Sequence, residues 1–313
     1  MKRWIRFIIT RLAYMAMTLF LIISATFFLM NSLPGTPYNN QDRLTSAQVA
    51  VLNEKYGFQA PVWERYFIYM GNIVKGDFGI SLQFSDQKVT TLLGSRLGPS
   101  IQLGLQAVAF GTVVGVILGM IAAMRQNTWI DTFCSLFAIA GRSAPNFVIA
   151  VLLQSVFAVG LKLLPIGLWN DGFRSTILPS LALSISPMAD AARFVRTELI
   201  EVLGSDYIEL ARAKGMGEIR LALTHGLRNV LIPLITILGP MMVSLMTGSL
   251  VVENIFAIPG IGEQFTKSIL SNDYYTIMAM TILFSTLLVT VIFVTDILYQ
   301  LIDPRVRLGG AGK

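Results

Sequence analysis

The stretch Tyr274–Thr295, YYTIMAMTILFSTLLVTVIFVT, contains no Asp, Glu, Lys or Arg. A helix needs about 20 predominantly apolar residues to cross a bilayer, so this stretch predicts a membrane-spanning helix. Earlier uncharged runs are Leu12–Met30, Leu97–Met124, Ser143–Leu161, Ser175–Ala189 and Asn229–Val252. The run Ser175–Ala189 is short and contains two prolines, so it spans only if flanking residues join it. The pattern predicts an all-α integral membrane protein with six transmembrane helices.

The composition of the 313-residue chain agrees with a membrane protein, because 54% of its residues are hydrophobic and only 13% are charged. An ordinary soluble domain carries about 25% charged residues. A soluble enzyme is therefore disfavoured, and a disordered or nucleic-acid-binding chain needs more charge still. The single cysteine, Cys134, and the single histidine, His225, exclude an internal disulfide and a Cys/His metal centre.

The distribution of Lys and Arg predicts the orientation, since basic residues favour cytoplasmic flanks. Apart from Arg142, alternate sides of the six runs hold 14 and nine Lys and Arg residues, and the richer side includes both termini, which we expect to be cytoplasmic. The first run is too long for a signal peptide, whose apolar region has roughly 7–15 residues. The predicted divisions are a tail and first helix (1–30), an external insertion (31–96) and a core (97–313) with a cytoplasmic loop at 190–228.

Small and charged residues within the apolar runs indicate helix contacts. Gly111, Gly115 and Gly119 recur at spacing four, which allows close helix packing either within the chain or at a subunit interface. Arg142 interrupts an apolar stretch, where a guanidinium costs roughly 2.5–3.5 kcal/mol on insertion scales. It either lines a cavity and meets substrate carboxylates or reaches the cytoplasmic surface, and its closeness to the cytoplasmic end favours the second. Pro145 predicts a kink nearby.

A short exposed helix is predicted from Asp206 to Lys214, within the cytoplasmic loop. Ser205 or Asp206 can cap its start, and Gly215 or Gly217 can end it. Such a helix between two spans is either a rigid lever for a cytoplasmic partner or a solvated amphipathic loop, and its physics alone leaves both open.

The segment Glu209-Leu210-Ala211-x-x-x-Gly215 resembles the EAA motif of ABC importer permeases, with Leu210 in place of the usual second Ala. Pro233 lies 18 residues after Gly215, which resembles the peptide/nickel branch of that family. Other stretches agree in order along the chain: Leu33–Pro37, where Thr36 replaces the usual Asp, then Gly76–Ser81, Val252–Gly262 and Asp296–Arg305. In detail the chain resembles the B-type membrane subunit of oligopeptide importers.

The resemblance implies the type I ABC importer permease fold and half of a translocation path for oligopeptides in a bacterial inner (plasma) membrane. The same fold also imports dipeptides and nickel chelates. It implies a second homologous permease as heterodimer partner, two cytoplasmic ABC ATPases, an extracytoplasmic peptide-binding protein, a peptide substrate and surrounding lipids, and no nucleic acid. The chain has no phosphate-binding loop, so ATP and Mg²⁺ belong to the ATPases, and no enzyme activity, metal or cofactor is expected in this chain.

Two rival classes are disfavoured. An intramembrane metalloprotease needs His-Glu-x-x-His, which the sequence lacks, and an ATP-independent secondary transporter needs intramembrane acids, which the spans almost lack.

The resemblance also implies three sets of site residues. Those that couple to the ATPases are Asp206, Tyr207, Glu209, Ala211, Lys214 and Gly215. Charged groups would set the docking register, Ala211 would allow close approach and Gly215 would permit the turn. Those of the outer loop that receives the binding protein, together with the insertion, are Glu253, Phe256, Pro259 and Gly260. Those that line the translocation path are Arg142, Ser244, Thr247 and Ser249.

Overall fold

The computed structural model describes residues 2–32, 38, 45–84 and 86–302, and no β-strand occurs among them. The α-helices in chain order are α1 (Lys2–Ser32), α2 (Ser46–Lys55), α3 (Val62–Val74), α4 (Val89–Met124), α5 (Trp129–Ser143), α6 (Asn146–Leu153), α7 (Phe173–Leu203), α8 (Asp206–Ala213), α9 (Glu218–Leu221), α10 (Leu227–Met246), α11 (Leu250–Ile255), α12 (Ile261–Leu270) and α13 (Tyr274–Ile302). Two π-helical turns, Gln154–Gly160 and Ala222–Gly226, follow α6 and α9. The all-α prediction is confirmed. The stretch Leu33–Pro37 and the end of the stretch Asp296–Arg305 lie outside the described residues.

Three helices of the described chain are long and apolar enough to cross a membrane unaided: α1, α4 and α13. Two bent helix pairs pass the same test, Trp129–Ser143 with Asn146–Gly160 and Glu218–Leu231 with Pro233–Met246. The remaining predicted run, Ser175–Ala189, lies in α7, which extends two residues before it and 14 residues after it. At 1.5 Å per residue, the 31 residues of α7 are about 46 Å long, enough to cross a bilayer.

The third predicted span, Ser143–Leu161, differs in the structure. The helix α5 ends at Ser143, Ala144 and Pro145 are extended, and α6 begins at Asn146, so the two helical axes meet at 101°. Proline has no N–H to donate and disfavours the helical conformation of the residue before it. The predicted kink at Pro145 is thus confirmed, and it is a complete break.

The fifth run, Asn229–Val252, is also interrupted. The helix α10 ends at Met246, and α11 begins at Leu250. Between them Gly248 has φ +93°, a left-handed conformation that residues with a Cβ disfavour.

One packing unit consists of residues 1–98 and 260–290. Its core joins α1, α3 and the start of α13 through aromatic rings: Phe27 stacks on Tyr69 with centroids 5.5 Å apart, and Tyr66 shares a 2.7 Å hydrogen bond with Ser24. The described part of the insertion is therefore folded against α1 and α13. The division 1–30, 31–96 and 97–313 stays a prediction, because it follows membrane topology rather than packing.

The other packing unit consists of residues 99–259 and 291–313, and α7 is its central helix. A Cβ built on Gly111, Gly115 or Gly119 of α4 would lie 2.4–2.6 Å from a backbone oxygen of α7. Real side chains do not approach a carbonyl so closely, so any larger residue forces the two helices apart. The glycine ridge is packing within one subunit, which settles the alternative that its spacing left open.

Candidate functional site

The helix α8 ends as its sequence predicts. Gly215 has φ +83°, its N–H donates to the carbonyl of Arg212 at 2.9 Å, and the N–H of Met216 donates to the carbonyl of Ala211 at 3.3 Å. These two bonds form a Schellman motif, which satisfies carbonyls that a helix end otherwise leaves unpaired. Gly217 has an extended conformation and precedes α9, so Gly215 is the glycine that ends the helix.

The start of α8 differs from the expectation. Ser205 is the N-cap residue, but its hydroxyl donates back to the carbonyl of Val202 at 2.6 Å and makes no capping bond. Asp206 and Glu209 lie in the first turn, where their negative charges favour the positive end of the helix dipole.

One face of α8 is anchored and the opposite face is exposed. Ile208 is fully buried, whereas Tyr207 is 48% exposed and Leu210 is 59% exposed. The predicted residues Asp206, Glu209 and Lys214 are exposed and Ala211 is partly exposed. An exposed tyrosine and leucine on a helix held by a buried isoleucine are typical of a docking surface.

Two side-chain contacts fix α8 to its neighbours. The amide nitrogen Nδ2 of Asn229, on α10, donates to the Tyr207 hydroxyl at 2.9 Å. Arg212 donates to both oxygens of Glu218, on α9, at 2.8 and 3.3 Å, and this contact raises the pKa of Arg212. The bidentate geometry fixes the angle between α8 and α9 more firmly than a single bond does.

Arg142 has a partner that its sequence surroundings did not reveal. Its guanidinium forms an ion pair with Asp190 of α7. Asp131 accepts two hydrogen bonds from Arg196 of α7, at 2.5 and 2.8 Å. Asp131 and Arg142 are 11 residues apart, about three helical turns, and so share one face of α5. That spacing is the sequence signal for two ion pairs between antiparallel α5 and α7.

The loop after α11 buries three of its four predicted residues, Glu253, Phe256 and Gly260. The Glu253 carboxylate accepts a 2.6 Å hydrogen bond from the Ser100 hydroxyl, and Phe256 lies in the core of its unit. The carbonyl of Phe256 also accepts the N–H of Leu168 at 2.7 Å. Pro259 is exposed and Gly260 is buried. Glu253 and Phe256 therefore hold the loop in shape, and a partner would meet the loop at Pro259.

The three polar residues predicted for the translocation path surround the break between α10 and α11. Ser244 is exposed near the end of α10, and Thr247 donates to its carbonyl at 3.0 Å. Ser249 is the N-cap residue of α11 and accepts the N–H of Glu253 at 2.8 Å through its carbonyl. Breaks of this kind occur at membrane depth only where backbone groups are buried in protein or face water.

Residues 115–308 match the family described as binding-protein-dependent transport system inner membrane component. Residues 4–87 match the N-terminal membrane component of the same systems. The chain belongs to this family. It is a membrane-spanning permease subunit of an ABC importer.

Curated relatives of this permease cover nearly the whole chain. The dipeptide transport system permease protein DppB of Lactococcus lactis is 46% identical, covering 97% of this chain and all of the relative. The oligopeptide transport system permease protein OppB of Haemophilus influenzae is 41% identical, covering 97% of this chain and 99% of the relative. An inward-facing structure of the MetNI methionine ABC transporter superposes with a TM-score of 0.55 at 16% identity, covering 68% of this chain and 97% of that chain, and it supports the fold alone.

The stretch Gly76–Ser81, noted as a family resemblance, is a turn in this permease. Asp77 accepts the N–H of Gly79 at 2.9 Å, and Gly79 has φ +85°, with its Cα against the Tyr275 ring. Ser81 then donates to Asp273 at 2.5 Å, immediately before α13. The motif therefore fastens the insertion to the start of the last helix.

Asp273 is a buried polar residue that sequence reasoning missed. Its carboxylate accepts hydrogen bonds from Ser81 and, at 2.7 Å, from Thr276, and all three residues are fully buried. Burial raises the pKa of Asp273, and the hydrogen bonds oppose that rise. Only its place before an apolar run, where Asp can cap a helix, hinted at this role.

Proposed function

We propose that this permease imports short peptides and forms half of the translocation path, with a second homologous permease as the other half. The supporting observation is the full-length similarity to DppB and OppB, which are named for dipeptide and oligopeptide transport. The break at residues 247–249 places polar side chains and backbone groups together, as a path for polar peptide backbones requires.

The test is uptake by proteoliposomes that contain the permease pair, the two ATPases and the binding protein. Labelled peptides of two to six residues should accumulate only when ATP is supplied to the ATPases. Uptake of a nickel chelate that is not inhibited by added peptides would indicate that this permease imports nickel chelates instead. Uptake driven by an ion gradient without any ATPase would refute the proposal.

We propose that α8 docks in a groove on a cytoplasmic ATPase, which binds the ATP and Mg²⁺ while this chain remains non-catalytic. The support is a helix that exposes Tyr207 and Leu210 over a buried Ile208. A cysteine at Leu210 should cross-link to the ATPase, and the buried Cys134 provides little background. A cysteine at Lys55, in the insertion, is the control that should not cross-link.

We propose that both termini face the cytoplasm and that the insertion and Pro259 face the binding protein outside. The unequal distribution of Lys and Arg supports this orientation. A membrane-impermeant maleimide should label cysteine at Lys55 in intact cells and should label cysteine at Lys214 only after the membrane is opened. The reverse pattern would invert the topology.

A further inference from the structure

The unit that contains the insertion has a partly open cavity of about 130 Å³ that none of the predicted sites uses. Its wall includes the rings of Phe58, Tyr69 and Tyr275 and the side chain of Arg65. The wall is drawn from α3, the loop before it, the C-terminal end of α1 and the start of α13. The cavity is therefore built from several elements that are distant in the sequence.

Arg65 contributes a cation that no carboxylate of the described residues neutralises through an ion pair. Its guanidinium carbon lies 5.2 Å from the centre of the Phe58 ring, and its Nε is buried without a hydrogen-bond partner. A guanidinium stacked on an aromatic ring keeps its N–H edge available, and that edge matches the geometry of a carboxylate.

Tyr69 contributes a second donor to the same cavity. The residue is 5% exposed, and its hydroxyl is buried without a hydrogen-bond partner. Burial raises the pKa of this hydroxyl, so it stays protonated at neutral pH. Buried polar groups are nearly always paired, and these two donors on one cavity have no acceptor among the described residues, so they are suited to an acceptor that a bound partner supplies.

We propose that this cavity receives the carboxylate of an Asp or Glu side chain presented by the extracytoplasmic binding protein. A carboxylate is an acceptor without donors, which complements Arg65 and Tyr69. A cavity of about 130 Å³ holds the volume of only about four water molecules, so it admits one side chain and excludes a whole peptide. The proposal rests on the proposed function, which places the insertion on the side of the binding protein.

The test titrates the binding protein against the complete transporter in lipid nanodiscs and measures the half-saturating concentration for stimulation of ATP turnover. Arg65→Gln should raise that concentration by about tenfold or more, the loss expected for one charge-assisted hydrogen bond. Lys55→Gln is the matched control, because it removes the same charge from the same insertion but at a site paired with Asp86 at 3.4 Å. It should leave the half-saturating concentration unchanged.

Tyr69→Phe separates ligand binding from folding. It removes an oxygen that has no hydrogen-bond partner in the part of the chain that the structure describes, so the thermal midpoint should not fall. The half-saturating concentration should still rise about fivefold, the value for one neutral hydrogen bond.

The proposal is wrong if Arg65→Gln and Tyr69→Phe both stay within twofold of Lys55→Gln. It is also overturned if Arg65→Gln alters only the discrimination between a peptide and its C-terminal amide, because the carboxylate would then belong to the substrate. Failure of the wild-type transporter to carry peptides would refute the proposed substrate without altering this titration. A wild-type transporter that ignores its binding protein would refute both the partner and this proposal.

Discussion

Replacing Gly215 by alanine tests the proposed coupling helix most directly. Gly215 has φ +83°, and an added Cβ would meet no atom within 4 Å, so the backbone conformation is the only cost. A residue with a Cβ in the left-handed region costs about 1–2 kcal/mol. This cost lowers the equilibrium ratio of α8 ending in the Schellman motif to α8 without it by a factor of about 5–30. We expect peptide uptake per ATP hydrolysed to fall while the protein remains in the membrane.

Gly217→Ala is the control for Gly215→Ala. Gly217 also has no atom within 4 Å of an added Cβ, but its φ is −69°. Alanine there should behave as wild type, and Gly215→Asn should recover part of the coupling because Asn tolerates the left-handed conformation. Gly215→Pro should be worse than Gly215→Ala, since it also loses the bond to Arg212. Equal coupling in Gly215→Ala and Gly217→Ala, measured in the same proteoliposomes, would refute the reasoning.

Three further predictions concern stability, measured as thermal midpoints in detergent. Gly115→Ala should destabilise the protein by about 1–3 kcal/mol, because its Cβ would lie 2.4 Å from a backbone oxygen of α7. Gly94→Ala, on an open face of α4, is the control and should be neutral or stabilising. Equal thermal midpoints for the two variants would contradict close packing of α4 on α7 at the glycine ridge. Burial raises the pKa of Asp273 above its ordinary 3.8, so the folded chain binds that proton more tightly than the unfolded chain. The thermal midpoint should therefore fall as the pH rises through the pKa of Asp273 in the folded chain. Asp273→Asn should flatten this dependence of the midpoint on pH, and an unchanged dependence would contradict the argument. Arg142→Glu should destabilise and adding Asp190→Arg should recover about 1 kcal/mol; additive effects would contradict the ion pair.

Local features were predictable from the sequence, whereas burial was not. The end of α8 follows from glycine spacing, because a Schellman motif depends only on nearby residues, and Pro145 likewise breaks its helix through its own geometry. Glu253 resembles an exposed loop acid, yet Ser100, 153 residues away, accompanies it into the interior. The unpartnered donors of Arg65 and Tyr69 were not predictable, because nothing in the sequence of α3 distinguishes these residues from their neighbours and only the folded structure places both on one cavity.

The contacts that α7 makes with α4 and α5 would transmit a movement of α8 to the membrane-spanning helices. Only Gly204 and Ser205 separate the end of α7 from α8. Along its length α7 touches the glycine ridge of α4 at backbone distance, and two ion pairs join it to α5. These contacts prevent α7 from moving alone. The glycine ridge holds the backbones of α4 and α7 in contact, and separation of α7 from α5 would leave the paired charges without partners. A displacement of α8 would therefore carry α7, α4 and α5 together, and the hydrogen bond from Asn229 to Tyr207 would draw α10 with them.

Asn229→Ala should then weaken coupling less than Gly215→Ala, because it removes the hydrogen bond to α10 and leaves the direct link from α8 to α7 in place. A larger loss in Asn229→Ala would show that α10, rather than α7, transmits the movement.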